Sequence, residues 1–141
     1  MGKQSIHALY YTMLSMARTK LSILIPAFNE EKTIVEILKR VNAATVHPFE
    51  KEVLVIDNNS TDTTAALARS VPNVRVLSEK TPGKGAALVR GLREATGDLI
   101  LFQDADLEYD PADIKDLLSV IESGRADVVY GSRNLSPETR R

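Results

Sequence analysis

The chain contains no cysteine, which removes disulfide staples, thiolate metal sites and cysteine nucleophiles together and is compatible with a reducing cytosol. Histidine is scarce. His7 and His47 both fall outside every motif described below and read as surface or boundary residues. No apolar run approaches the roughly 18 residues of a membrane span. Charge of one sign is not in excess either: 18 Lys and Arg face 19 Asp and Glu, a net charge of -1. A nucleic-acid surface is therefore not indicated, and the acids need local explanations. Repeats, low-complexity tracts and linkers are missing as well. What remains is 141 residues, 43% hydrophobic and 26% charged, enough for one domain with a real core and too few for a second.

Residues 1–19 read as an N-terminal extension to a domain over 20–141. Lys3, Arg18 and Lys20 surround a moderately apolar 6–17 stretch with no acid. An upstream extension ahead of a start at Met16 is the simplest account. The alternatives are a weak signal peptide, with Ser15-Met16-Ala17 as a loose cleavage site, and a peripheral membrane helix.

From Leu21 onward short apolar runs alternate with helix-period segments. Strands are expected at 21–26, 52–57, 74–78, 98–103 and 127–131. A helix over 31–44 places Ile34, Ile37, Leu38 and Val41 on one face, and one over 111–123 repeats this with Ile114, Leu117, Leu118 and Ile121. Asp110-Pro111 is a good helix start and Gly124 a good stop. This order predicts an α/β fold, a mostly parallel sheet with helices on both faces. Ligands in such folds bind beyond the carboxyl ends of the strands. Every polar motif falls there: 26–31, 57–62, 81–85 and 103–108.

In Gln103-Asp104-Ala105-Asp106-Leu107-Glu108, Asp104 and Asp106 leave a buried strand two residues apart and point the same way. Hard oxygen ligands of this kind suit Mg²⁺ or Mn²⁺. An isolated Asp-x-Asp is equally at home in an exposed turn, and it is the position after a strand that favours the metal. Asp57, at an exposed strand end, suits the N–H groups of a base or the hydroxyls of a ribose. Ser60 or Thr61 reads as the cap of the following helix, with Asp62 complementing its dipole. In the Asn29-Glu30 turn the acid either starts a helix or contacts a nucleotide. Pro82-Gly83-Lys84-Gly85 is not a Walker A loop, because Gly85 stands where Ser or Thr is required, so an ATPase is not expected. Its backbone N–H groups and Lys84 at a helix start favour phosphate, whereas turn geometry alone would also explain the glycines. Arg133 supplies a guanidinium for a phosphate or is a plain surface arginine.

Residues 21–31, 55–62, 83–87, 103–108 and 128–133, in this order and spacing, resemble family 2 glycosyltransferases of the GT-A (Rossmann-like) fold, with the dolichol-phosphate mannosyltransferase-like branch nearest. The resemblance implies that Pro26, Ala27, Asn29, Glu30, Asp57, Lys84, Asp104 and Ala105 hold a nucleotide-sugar. It implies that Asp104 and Asp106 bind the metal and the donor diphosphate, and that Arg133 meets a phosphate. The implied reaction moves a sugar from a UDP- or GDP-sugar to a polyprenyl phosphate or saccharide acceptor, with inversion and assistance from Mg²⁺ or Mn²⁺. Two departures stand out. Asn58 and Asn59 occupy positions where many members carry Asp and Gly, and Glu108 stands where Gln is common, which offers a third carboxylate to the metal shell. The chain also stops at Arg141 where family members continue, so it is expected to be the donor-binding portion, truncated at the C-terminus. On that expectation it works in the cytoplasm or at the cytoplasmic face of a membrane, touches the membrane only through the missing part, and self-associates through an open sheet edge. The rival readings are a non-catalytic nucleotide-sugar-binding module and a sugar-phosphate nucleotidyltransferase.

Overall fold

The computed structural model describes residues 20–131. Four strands form the sheet: β1 (Lys20–Ala27), β2 (Glu50–Asp57), β3 (Arg75–Ser78) and β4 (Leu99–Phe102). Between and after them lie α1 (Ile34–Ala43), α2 (Thr64–Ser70), α3 (Lys84–Glu94), a 3₁₀ turn (Pro111–Asp113) and α4 (Ile114–Glu122). The strand order is β3-β2-β1-β4 and every pairing is parallel. Strand order therefore reverses beside β1, where a parallel α/β sheet opens its ligand crevice.

The period-two alternation of the strands assigns the helices to faces. Leu21, Ile23, Ile25 and Ala27 of β1, with Val53 and Val55 of β2, pack against Ile34, Ile37, Leu38 and Val41 of α1, Ala68 of α2, and Ile114 and Leu118 of α4. The intervening Leu24, Leu54 and Ile56 join Leu77 and Ala87 on the face covered by α3. A buried aliphatic side chain of this size contributes about 1.5–3 kcal/mol, so β1 and β2, which are apolar on both faces, form the stable centre. Helix α3 lies close to them, since a Cβ on Gly91 would sit 2.8 Å from Ile56 Cδ1. At the amino ends of the strands the Ser22 hydroxyl donates to Glu52, which also accepts from the Thr96 N–H (2.9 Å) and hydroxyl (3.0 Å). Burial pushes the Glu52 carboxyl up, but these hydrogen bonds and the charge of Lys20 together hold it below its ordinary value. At the end of α1, Lys51 Nζ donates to the carbonyls of Val41, Asn42 and Ala44.

Three expectations are corrected. Residues 127–131 are not a strand, and Val128 and Tyr130 are 65% and 87% exposed. Handedness stands against a parallel strand there. Helices α1 and α2 share a face while the chain moves from β1 towards β3, so a right-handed step outward from β4 needs its helix on the opposite face. Helix α4 packs on the same face as α1, and a parallel strand beside β4 would close a left-handed crossover. The helix expected over 31–44 begins only at Ile34, because residues 31–33 form a tight turn in which the Glu30 carbonyl accepts from the N–H groups of Thr33 (3.1 Å) and Ile34 (2.9 Å). The cap of α2 is neither Ser60 nor Thr61. The Asp62 carboxylate takes the Thr64 N–H at 2.9 Å. The expected start of the last helix holds, with Asp110 accepting from the Ala112 N–H at 3.0 Å and Gly124 closing α4 at φ +68°.

Candidate functional site

A cleft of about 700 Å³ opens at the carboxyl ends of β1, β2 and β4. Its lining brings together Pro26, Ala27, Glu30, Lys84, Asp104, Ala105 and Asp106, all singled out from the sequence, and adds Phe28, Asn58, Asn59, Thr61, Lys80 and Pro82. Three sequence candidates do not line it. Asn29 (φ +53°) turns towards the next loop, its side-chain oxygen accepting from the Thr61 N–H at 2.8 Å while its own N–H donates to the Ser60 hydroxyl at 3.0 Å. Glu108 lies outside the lining, and no group of three or more acidic or histidine side chains is close enough together to hold a metal ion among the described residues. Asp57 is not at an exposed end but 7% exposed, and its Oδ1 is buried without a hydrogen-bond partner. Arg133 and residues 1–19 lie outside the described residues.

The loops after β1 and β2 are cross-braced. Besides the Asn29 contacts, the Glu30 N–H donates to the Thr64 hydroxyl at 2.8 Å and the Glu31 N–H to Asp62 at 3.2 Å. Asp62 is held below its ordinary value: burial pushes it up, but donation from the Thr64 hydroxyl and N–H and the Glu31 N–H together outweighs that. The loop after β3 is clamped by Asn58, whose Nδ2 donates to the carbonyls of Glu79 (3.1 Å) and Thr81 (2.7 Å) while its Oδ1 accepts from the Gly83 N–H (2.8 Å). Both roles require an amide. The amide side chain was noted in the sequence only as a missing acid. Gly83 adopts φ +111°, a conformation open to glycine at little cost, and so delivers Lys84 to the first turn of α3.

The opposite wall is the loop after β4. Gln103 is buried, its N–H donates to the Leu24 carbonyl, and its Nε2 donates to the carbonyls of Asp104 (3.2 Å) and Tyr109 (3.1 Å), drawing both ends of the loop together. Sequence reasoning passed over this residue, although a polar side chain closing an apolar strand is a usable signal. Ala105 and Leu107 pack towards the core, so Asp104 and Asp106 face the cleft. Asp106 Oδ1 accepts from the Glu108 N–H at 3.0 Å, and Asp104 Oδ1 meets Lys84 Nζ at 2.5 Å. Two carboxylates in an open cleft fit an Mg²⁺ or Mn²⁺ that fills its shell with water and phosphate oxygens, because these ions are commonly held by one or two carboxylates plus substrate phosphates. The orphaned Asp57 oxygen is an acceptor of the kind that a donor group would satisfy.

Comparison with known proteins agrees with this geometry. The family model described as glycosyl transferase family 2 matches residues 22–141. The dolichol-phosphate mannosyltransferase of Pyrococcus furiosus is 34% identical over 118 residues, which cover 81% of this chain and 33% of that protein. The dodecaprenyl-phosphate galacturonate synthase of Rhizobium johnstonii is 35% identical over 121 residues, covering 81% and 36%. The chain thus spans about a third of the length of these curated relatives. Among solved structures, glucosyl-3-phosphoglycerate synthase from Mycobacterium tuberculosis in complex with Mn²⁺, UDP and glucosyl-3-phosphoglycerate is similar with a TM-score of 0.67 and 28% identity, over 87% of this chain and 46% of that one. The same enzyme in complex with Mg²⁺ and UDP gives a TM-score of 0.66 at 27% identity, over 87% and 45%.

Proposed function

Since the chain belongs to glycosyl transferase family 2 and has the GT-A fold, we propose that its cleft binds a nucleotide-diphospho-sugar together with Mg²⁺ or Mn²⁺ and activates that donor for transfer to a polyprenyl phosphate. The observation that carries this reading is the pairing of Asp104 and Asp106 on one wall with Lys84 on the other, beyond the strand ends of a parallel sheet. Asp57, buried at the end of β2, takes the nucleoside through its unpaired oxygen. Pro26, Ala27 and Glu30 form the floor on the β1 side.

The reaction is displacement at the anomeric carbon, and departure of the nucleoside diphosphate is its hard part. Asp104 and Asp106 would hold the divalent cation, which when bound would neutralise the charge that develops on the leaving diphosphate. Lys84, at the amino end of α3, adds a positive group where phosphate oxygens are favoured. Gln103 and Asn58 hold the two walls in register. A polyprenyl phosphate acceptor is already ionised at neutral pH, its second pKa being about 6, so a single in-line attack with inversion needs no protein base. The relatives named as dolichol-phosphate and dodecaprenyl-phosphate enzymes support that acceptor class.

Calorimetric titration with a panel of UDP- and GDP-sugars, with Mn²⁺ and with EDTA, tests the proposal. Saturable binding of one nucleotide-sugar that requires the metal is expected. Absence of binding by the folded chain in every combination overturns it.

A further inference from the structure

Lys84 is positioned with more care than a surface lysine needs. Asn58 ties the preceding loop to the end of β2, Gly83 turns it at φ +111°, and the lysine then reaches across the cleft to Asp104 Oδ1. Its side chain is 60% exposed and that of Asp104 31% exposed. Asp106, two residues further on, is in no ion pair of the described residues and takes its hydrogen bond from a backbone N–H instead. One carboxylate of the pair is therefore neutralised from within and the other is left open.

We propose that Lys84 is the resident counter-ion of Asp104, which it holds until a divalent cation takes the carboxylate and a diphosphate takes the lysine. This rests on the reading of the cleft as a diphosphate and cation site. A doubly charged cation approaching Asp104 meets the ammonium already there and must move it aside. The four-carbon stem of lysine swings without disturbing the braced loop, and its exposure keeps the cost of moving it small. Diphosphate oxygens at the start of α3 give the displaced ammonium a new partner. Bound diphosphate thus clears Asp104 for the cation, and bound cation frees Lys84 for the diphosphate. That is a coupling between two ligands through one side chain, and it is reciprocal.

Binding to the intact chain tests this, using Mn²⁺ followed by electron paramagnetic resonance and UDP followed by calorimetry, with circular dichroism melts to verify folding. Replacing Lys84 by Met removes the competitor, so Mn²⁺ alone should bind about two- to five-fold more tightly, the range spanned by an exposed ion pair. UDP in EDTA should bind more weakly to the same variant. Lys84→Arg, which keeps the charge, should stay near the wild type in Mn²⁺ affinity. In an Asp104→Asn background the Lys84→Met change should bring no gain in Mn²⁺ affinity, which isolates the pair. An unchanged or weakened Mn²⁺ affinity in folded Lys84→Met overturns the counter-ion role while leaving the donor site intact. A wild type that binds neither UDP nor its complex with Mn²⁺ overturns the site reading itself.

Discussion

Asn58→Asp exchanges an amide for a carboxylate of nearly the same shape, and its cost follows from the three hydrogen bonds that the amide makes. The Nδ2 donations to the Glu79 and Thr81 carbonyls, at 3.1 and 2.7 Å, become contacts between an anionic oxygen and two carbonyl oxygens. Two neutral hydrogen bonds are lost at about 1 kcal/mol each. The Gly83 N–H, 2.8 Å from Oδ1, gains a charged acceptor, which returns about half of that loss. Repulsion and the burial of a charge at a residue 8% exposed outweigh the return. A net destabilisation of about 2 kcal/mol is expected, because a larger penalty is avoided when the loop lets go of the side chain. For a domain of this size that lowers Tm by about 6–8 °C. The introduced carboxyl is raised above its unfolded value, since its protonated form can donate to one of the carbonyls. The gap from wild type should therefore be small near pH 4 and widen as pH rises through the ordinary carboxylate range to the raised value. Calorimetric melts of both proteins from pH 4 to 8 measure it. A gap that is absent, or that does not change with pH, refutes the assignment of Asn58 as a two-fold donor.

Three further outcomes are expected. Asp57→Ala should weaken UDP binding by about 1–3 kcal/mol, the worth of a hydrogen bond to a charged group, without lowering Tm, because the side chain removed is a buried carboxylate with an unpaired oxygen; a collapsed Tm with unchanged affinity would make it structural. Asp106→Ala should abolish the difference between UDP titrations in Mn²⁺ and in EDTA, and a difference as large as in wild type refutes its metal role. Glu52→Gln should lower stability at pH 7, with the gap closing as pH falls below the ordinary carboxyl value of 4.5. The sign follows from a folded-state pKa held down, whose contribution is full above the unfolded value and lost as pH falls through the folded one; denaturant midpoints at pH 7 and pH 4 read it out.

The motif loops could be located from the sequence because each sits at the end of an apolar run, and run ends are visible without knowing the strand order. The 3.6-residue spacing of Ile34, Ile37, Leu38 and Val41 found the buried face of α1 for the same local reason. What the sequence did not reveal depends on distant pairings. Residues 127–131 hold a short apolar run like those of the strands, but whether such a run pairs depends on a neighbouring strand edge, and no local pattern encodes that. The bonds of Asn29 to Ser60 and Thr61 join loops that are about thirty residues apart in the chain, and no local pattern shows them. Asp57 was placed in the site but at an exposed end, because its burial is produced by the loops that fold over it. Gln103 and Asn58 were missed as positioning residues since their partners are backbone groups, which no sequence pattern marks.

The loop that carries the two carboxylates shows how this site is held without a glycine. Leu107 lies between Asp106 and Glu108 at φ +65°, a left-handed conformation that costs a residue with a Cβ about 1–2 kcal/mol. A glycine would relieve that strain, but it would also give up the anchor, because the Leu107 side chain packs against the same core as Ile114 and Leu118. Leu107 is half-buried, so its packing contributes a part of the about 1.5–3 kcal/mol that full burial of a leucine gives, an amount of the same order as the strain. With Leu107 and Ala105 pointing inward, the intervening Asp106 has to face the cleft, and the Glu108 N–H then sets the direction of its carboxylate. The strain is local, and it lies next to the carboxylate whose direction into the cleft it helps to set.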